Sequence, residues 1–176
     1  MIRHYLNRFL AVVWLFSCLC LATASASGYG IHAGATAQIN QSINVRTGPG
    51  NGYKSIGTFF EGGTEISVLT AARDRSGNWW IQVEFSARGK KRRGYVPVSC
   101  FNIDAGSLPK ENSIGSSVTS AETTALSGPG TEYARYDEQV PAGTEVTVFA
   151  YESGYSQIEY HSSSGLVRVW IPDNSL

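Results

Sequence analysis

Cysteine is scarce in this chain and poorly placed for cross-linking. Of three cysteines, Cys18 and Cys20 fall in an apolar N-terminal run, and only Cys100 lies beyond it. Once that run is removed no intramolecular disulfide can form, unlike the disulfide-dense small domains common among exported proteins. Cys100, near the end of an expected strand, reads as a small packed hydrophobe rather than a reactive thiol. Catalytic and metal-binding signatures are missing too. There is no HExxH motif and no Cys or His pair at metal-ligand spacing, and the two Gly-Pro-Gly turns lack the Lys-Ser or Lys-Thr of a phosphate-cradling loop. A cysteine peptidase would have to combine Cys100 with His32 or His161, both of which read as solvated. The sequence therefore predicts no enzyme, no metal and no cofactor. Long helical patterns are absent as well, which leaves strands to build the fold.

The N-terminus carries Arg3 and Arg8, then Phe9-Leu10-Ala11-Val12-Val13-Trp14-Leu15-Phe16, and stays apolar through Leu21. These are the charged and apolar regions of a secretory signal peptide, expected over residues 1–26. Small-x-small sites place cleavage after Ala24 or Ala26. The run falls short of the ~20 apolar residues that span a bilayer, so no membrane span is expected after cleavage. Leu15-Phe16-Ser17-Cys18 also resembles a lipobox, although Phe16 fits poorly and apolar sequence continues past Cys18. Either way the chain is expected to be exported to the periplasm or outside the cell.

Beyond the leader the sequence repeats. Ile43-Asn44-Val45-Arg46-Thr47-Gly48-Pro49-Gly50-Asn51-Gly52-Tyr53 aligns with Thr123-Thr124-Ala125-Leu126-Ser127-Gly128-Pro129-Gly130-Thr131-Glu132-Tyr133. The same offset sets Gly63-Thr64-Glu65-Ile66-Ser67-Val68 over Gly143-Thr144-Glu145-Val146-Thr147-Val148. After a longer loop in the first copy, a second constant offset pairs Trp80 with Tyr155, Val83 with Ile158, and Tyr95-Val96-Pro97 with Trp170-Ile171-Pro172. Each copy is long enough to be a domain of its own, and each is expected to fold alone. Residues 35–103 form the first, 116–176 the second, and 104–115 the linker. Within each copy apolar residues alternate. Ile81, Val83 and Phe85 share one strand face, and Trp80, Gln82 and Glu84 share the other, expected to meet solvent. Short strands punctuated by Gly and Pro predict a small antiparallel barrel or sandwich.

Asn44-Val45-Arg46-Thr47-Gly48-Pro49-Gly50, Tyr53, Ile56-Gly57, Gly63-Thr64, Val68-Leu69, Trp79-Trp80 and Gly94-Tyr95-Val96 form an ordered series of spaced blocks. The series resembles the bacterial SH3 domain, a module attached to many cell-wall enzymes. The second copy departs from it where Leu126 replaces Arg46 and Gly154-Tyr155 replaces the paired tryptophans. The resemblance implies two tandem SH3-like antiparallel β-barrels, all-β in class. It also implies a groove beside the long loop that follows Gly-Pro-Gly, with peptidoglycan or a peptide as ligand.

Two sets of residues are candidates for binding. Tyr53, Trp80, Tyr95, Tyr133, Tyr155 and Trp170 repeat as aromatic positions on the register expected to face solvent, and rings offer large contact area at low side-chain entropy. Arg88, Lys90, Lys91, Arg92 and Arg93 crowd into what reads as one hairpin turn, open to an anionic polymer. The near-zero total charge hides a division. Nine cations against four acids give the first copy about +5, and two against eight give the second about −6. Nucleic acid is a poor partner for an exported chain. The expected role is a non-catalytic, wall-associated binding protein for peptidoglycan, a wall-associated anionic polymer or a peptide. The alternative is an assembly module that pairs its basic copy with an acidic copy or with an envelope protein.

Overall fold

A computed structural model describes residues 35–176. The expected leader, its cleavage sites, Cys18 and His32 lie outside the described residues. Every regular element longer than one 3-10 turn is a strand. The first repeat runs β1 (Thr36–Gln38), β2 (Ile43–Arg46), β3 (Ser55–Phe60), β4 (Glu65–Arg73), β5 (Trp79–Ala87) and β6 (Lys90–Pro97). The second runs β7 (Gly115–Val118), β8 (Thr123–Leu126), β9 (Arg135–Val140), β10 (Glu145–Glu152), β11 (Tyr155–Ser162) and β12 (Gly165–Pro172). Each repeat forms one antiparallel six-stranded sheet, and the two orders are the same: β1-β4-β5-β6-β2-β3 and β7-β10-β11-β12-β8-β9. A closed barrel was expected; among the described residues no ladder joins the outermost strands, so each sheet is open in its hydrogen bonding. No described helix is long and apolar enough to cross a membrane.

Each sheet nevertheless curls around a core. Ala37 of β1 and Val45 of β2, far apart in strand order, share one apolar cluster with Ile66, Val68, Ile81, Val83, Val96 and the free, buried Cys100. Val146, Val148, Ile158, Val169 and Ile171 do the same in the second repeat. The curl is helped by a one-residue bulge in the long central strand, between Val68 and Ala71 in β4 and between Val148 and Ala150 in β10. Arg88-Gly89 joins β5 to β6 with both residues at positive φ, the geometry whose twist suits a two-residue hairpin.

The opposite face of β5 does not meet solvent. Trp80 is 3% exposed and Gln82 1%. Strand alternation had assigned these residues to the outside; they are covered because the second repeat lies against that face. The expected linker is also structured. Asp104 caps a 3-10 turn at Ala105–Ser107, and the backbone around Lys110 then lies parallel along β4, with Ala71 N–H donating to Pro109 O at 2.8 Å and Glu111 N–H to Ala71 O at 2.9 Å.

Candidate functional site

The offset that aligns the repeats also aligns two charge pairs. Glu84 sits opposite Arg93 across β5 and β6, and Glu159 opposite Arg168 across β11 and β12. Both arginines are buried and reach beyond their own sheet. Arg93 donates through Nε to Glu84 at 2.9 Å and through its two terminal nitrogens to Glu152 of the second repeat at 2.7 and 2.9 Å. Arg168 donates to Glu159 at 3.0 and 2.7 Å and to Glu111 at 2.8 Å. Rings of the facing repeat flank each guanidinium. Tyr133 and Trp170 lie 5.4 and 5.5 Å from Arg93, and Tyr53 and Tyr95 lie 5.9 and 5.6 Å from Arg168, which also stacks at 3.6 Å on Phe149.

The tyrosine of each Gly-Pro-Gly loop completes the exchange. Tyr53 donates its hydroxyl hydrogen to Glu159, and Tyr133 donates to Glu84. The contacts are thus reciprocal, as across an approximate two-fold axis. The glycines preceding the prolines explain how the tyrosines are aimed. A Cβ on Gly48 would lie 2.1 Å from the Tyr53 ring and one on Gly128 2.0 Å from the Tyr133 ring, so each ring lies flat on a bare backbone. One backbone ladder reinforces the joint. Lys91 N–H donates to Glu132 O at 3.2 Å, Ala134 N–H to Lys91 O at 2.9 Å, and Arg93 N–H to Ser127 O at 2.9 Å.

The centre of the joint is polar. Tyr95 donates to Glu111 at 2.7 Å and accepts from Gln82 at 3.0 Å and Gln157 at 2.9 Å. Burial pushes the Tyr95 hydroxyl well above the usual tyrosine range, and the charge of Glu111 pushes it further. Burial opposes the charge on Arg93, yet the hydrogen bonds and charge of Glu152 outweigh it and hold the guanidinium above its ordinary pKa. Glu84 moves the other way. Burial would raise it, but the hydrogen bonds from Tyr133 and Arg93 hold it below the usual carboxylate range.

These positions revise the aromatic set. Tyr53, Trp80, Tyr95, Tyr133 and Trp170 are all buried, and Tyr155 alone is half-exposed. Four of them, Tyr53, Tyr95, Tyr133 and Trp170, pack at the joint between repeats. Trp80 instead donates through Nε1 to Asp74 at 3.2 Å and fastens the turn over residues 74–78. The basic run is not one open turn either. Only Arg88 belongs to the tip. Lys90 and Lys91 are exposed along β6, Arg92 is half-buried, and Arg93 is consumed by the joint. Sequence reasoning missed Arg168, Glu84, Glu159, Glu111, Glu152, Gln82 and Gln157 as joint residues. The offset of the second block, which pairs Glu84 with Glu159, Arg93 with Arg168 and Gln82 with Gln157, was the available signal.

Two grooves flank the joint, each with a loop from one repeat and a hairpin from the other. The first, about 450 Å³, has the 49–53 loop and the 74–78 turn on one side and His161 and Leu166 on the other. The second, about 380 Å³, sets Pro129, Glu132 and Tyr133 against Lys91 and Arg93. Lys90 reaches over this loop to Thr131 O at 3.3 Å.

The chain is thus an all-β protein of two duplicated antiparallel sheets locked through a reciprocal joint. No family model matches it, and no solved structure matches it. It is similar to "Putative N-acetylmuramoyl-L-alanine amidase YrvJ" of Bacillus subtilis (strain 168), with 28% identity over 127 residues, 71% of this chain and 23% of that protein. The chain therefore spans under a quarter of the relative's length. That similarity overturns the expectation that the chain is no enzyme, because the relative it resembles carries the name of an amidase.

Proposed function

We propose that this protein is an envelope protein that binds the cell wall, with peptidoglycan or an anionic polymer of the wall as ligand. In this reading its repeats are a bacterial SH3-like pair that acts as one unit. The observation that carries the reading is the similarity to a named wall amidase along a length greater than either repeat. The grooves beside the two Gly-Pro-Gly loops supply concave surface, and Arg88, Lys90 and Lys91 supply exposed positive charge at the edge of the second groove. The pairing of basic and acidic copies is satisfied inside one chain, by Arg93 with Glu152, which favours wall binding over chain-to-chain assembly.

Cosedimentation of the purified chain with isolated sacculi tests this. The wild type is expected to pellet with sacculi and to do so less as salt rises, since the screening length falls to about 8 Å at physiological ionic strength. The double substitution Arg88→Ser and Lys90→Ser is expected to weaken binding several-fold with little change in melting temperature, because both residues lie on the surface. Equal binding by the variant would remove the basic hairpin from the site. Absence of wild-type binding at low salt would sink the wall reading, and clearing of the sacculus suspension would replace it with hydrolysis.

A further inference from the structure

A separate hollow opens where the linker crosses the joint. Thr70, Pro109, Ile114, Phe149, Ala150 and Gln157 line a cavity of about 240 Å³ with mostly apolar walls. A second hollow, of about 370 Å³, shares Phe149 and the 110–113 segment with it and ends at Arg73 and Trp79. Together they fall within the ~300–1,000 Å³ typical of small-ligand sites. Two side chains lining the first hollow are buried without a partner, Thr70 through Oγ1 and Gln157 through Oε1. Gln157 spends its Nε2 on Tyr95 at 2.9 Å, which fixes its amide and leaves Oε1 as an acceptor in want of a donor. A buried acceptor left unsatisfied costs about 1–3 kcal/mol, so a ligand that brings an N–H to it recovers that energy.

The charges at the far end specify the rest. The Arg73 guanidinium lies 4.0 Å over the Trp79 ring and the Lys110 ammonium 5.5 Å from it. Nearby acids do not offset them, because Glu111 and Glu159 are both engaged by Arg168 at 2.8 and 2.7 Å. We infer that this linker hollow is a binding site for a short peptide with small aliphatic side chains and a free terminal carboxylate. A backbone N–H meets Gln157 Oε1, the aliphatic groups pack on Pro109, Ile114, Phe149 and Ala150, and the carboxylate lies against Arg73. Both repeats and the linker contribute walls, so the site exists only in the joined molecule. It requires no polymer and no basic hairpin, so it and the wall reading can fail independently.

The probe is the tripeptide Ala-Ala-Ala, titrated at millimolar concentrations into the ¹⁵N-labelled chain, with its C-terminal amide as the control. Saturable shifts are expected at the amides of Thr70, Ile114, Ala150 and Gln157 and at the Trp79 indole. The amide form is expected to bind about three- to fivefold more weakly, the worth of one partly exposed ion pair. Ile114 is 50% exposed, so Ile114→Lys is expected to fold normally, charge the hollow and abolish the shifts. Arg73→Ser is expected to erase the difference between acid and amide. No saturable shift in the wild type, shifts confined to the grooves at the Gly-Pro-Gly loops, or unchanged binding by folded Ile114→Lys would each overturn the site.

Discussion

Arg168 has almost no contact with water and is held by two carboxylates from different parts of the chain, with side-chain exposures of 5% for Arg168 and Glu111. Removing one member of a buried pair leaves the other charged and unpaired, at a cost of about 3–5 kcal/mol. Arg168→Met is therefore expected to destabilise the protein by about that amount in urea unfolding, whereas exposed Arg88→Ser should cost almost nothing. Gly128→Ala is a second residue-scale test. Its Cβ would strike the Tyr133 ring, so overpacking of about 1–3 kcal/mol is expected, together with loosening of the Tyr133 contact to Glu84. At this scale the sequence was partly legible. Alternation correctly grouped Trp80 with Gln82 and Glu84 on one face, but a period of two says only which residues share a face. What covers that face is decided by another segment seventy-odd residues away, and so the rings were read as a surface.

The hairpin of β5 and β6 shows how an element can differ from its local reading. Five basic residues in six positions look like a solvated turn, yet β6 continues through Lys90–Pro97 and offers its backbone to the second repeat. That ladder forces the alternation of Lys91 outward and Arg93 inward. Glu84 beside them gives the joint an acid sensitivity. Its carboxyl is held below the usual range in the folded chain, so its contribution is present above the free value near ~4.3 and is lost as pH falls through the lowered native value. Melting temperature is expected to be steady from pH 7 to about 5 and to decline below it. Glu84→Gln should start lower at pH 7 and decline less steeply, and an unchanged acid limb in that variant would remove Glu84 from the cause. The linker was legible as a stretch rich in polar residues, Gly and Pro. Its Glu111 was not legible as a ligand of Arg168, because nothing in local sequence announces a partner in β12.

For the whole molecule, the duplication could be read directly because both copies stand in one sequence, and it carried the all-β class and the matching strand orders with it. The dependence of one copy on the other could not be read that way. Each half contains a complete strand set, which suggested independent folding. The structure instead gives each half a face of Gln82, Tyr95 and Arg93, or Gln157, Trp170 and Arg168, that only its partner covers. The joined chain is expected to melt in a single transition, with calorimetric and van't Hoff enthalpies in agreement. Residues 35–103 and 116–176 made separately should melt lower or not cooperatively. A loss of about 2 kcal/mol would lower Tm by about 8–16 °C for domains of this size. Two independent transitions in the joined chain, each matching an isolated half, would contradict a shared unit.

The two arginines receive their cross-joint carboxylates from different places. Glu152 stands opposite Tyr155 in β10 and reaches Arg93, while the matching position opposite Trp80 is Ala72, and Glu111 of the connecting segment serves Arg168 instead. In a dimer of identical chains every substitution appears twice, so neither half-site could have lost its carboxylate alone. Covalent tethering removes that doubling. Once two self-complementary copies share one gene, the connector can adopt a duty that one copy sheds, and the copies are free to drift to opposite charge while keeping the same strand order.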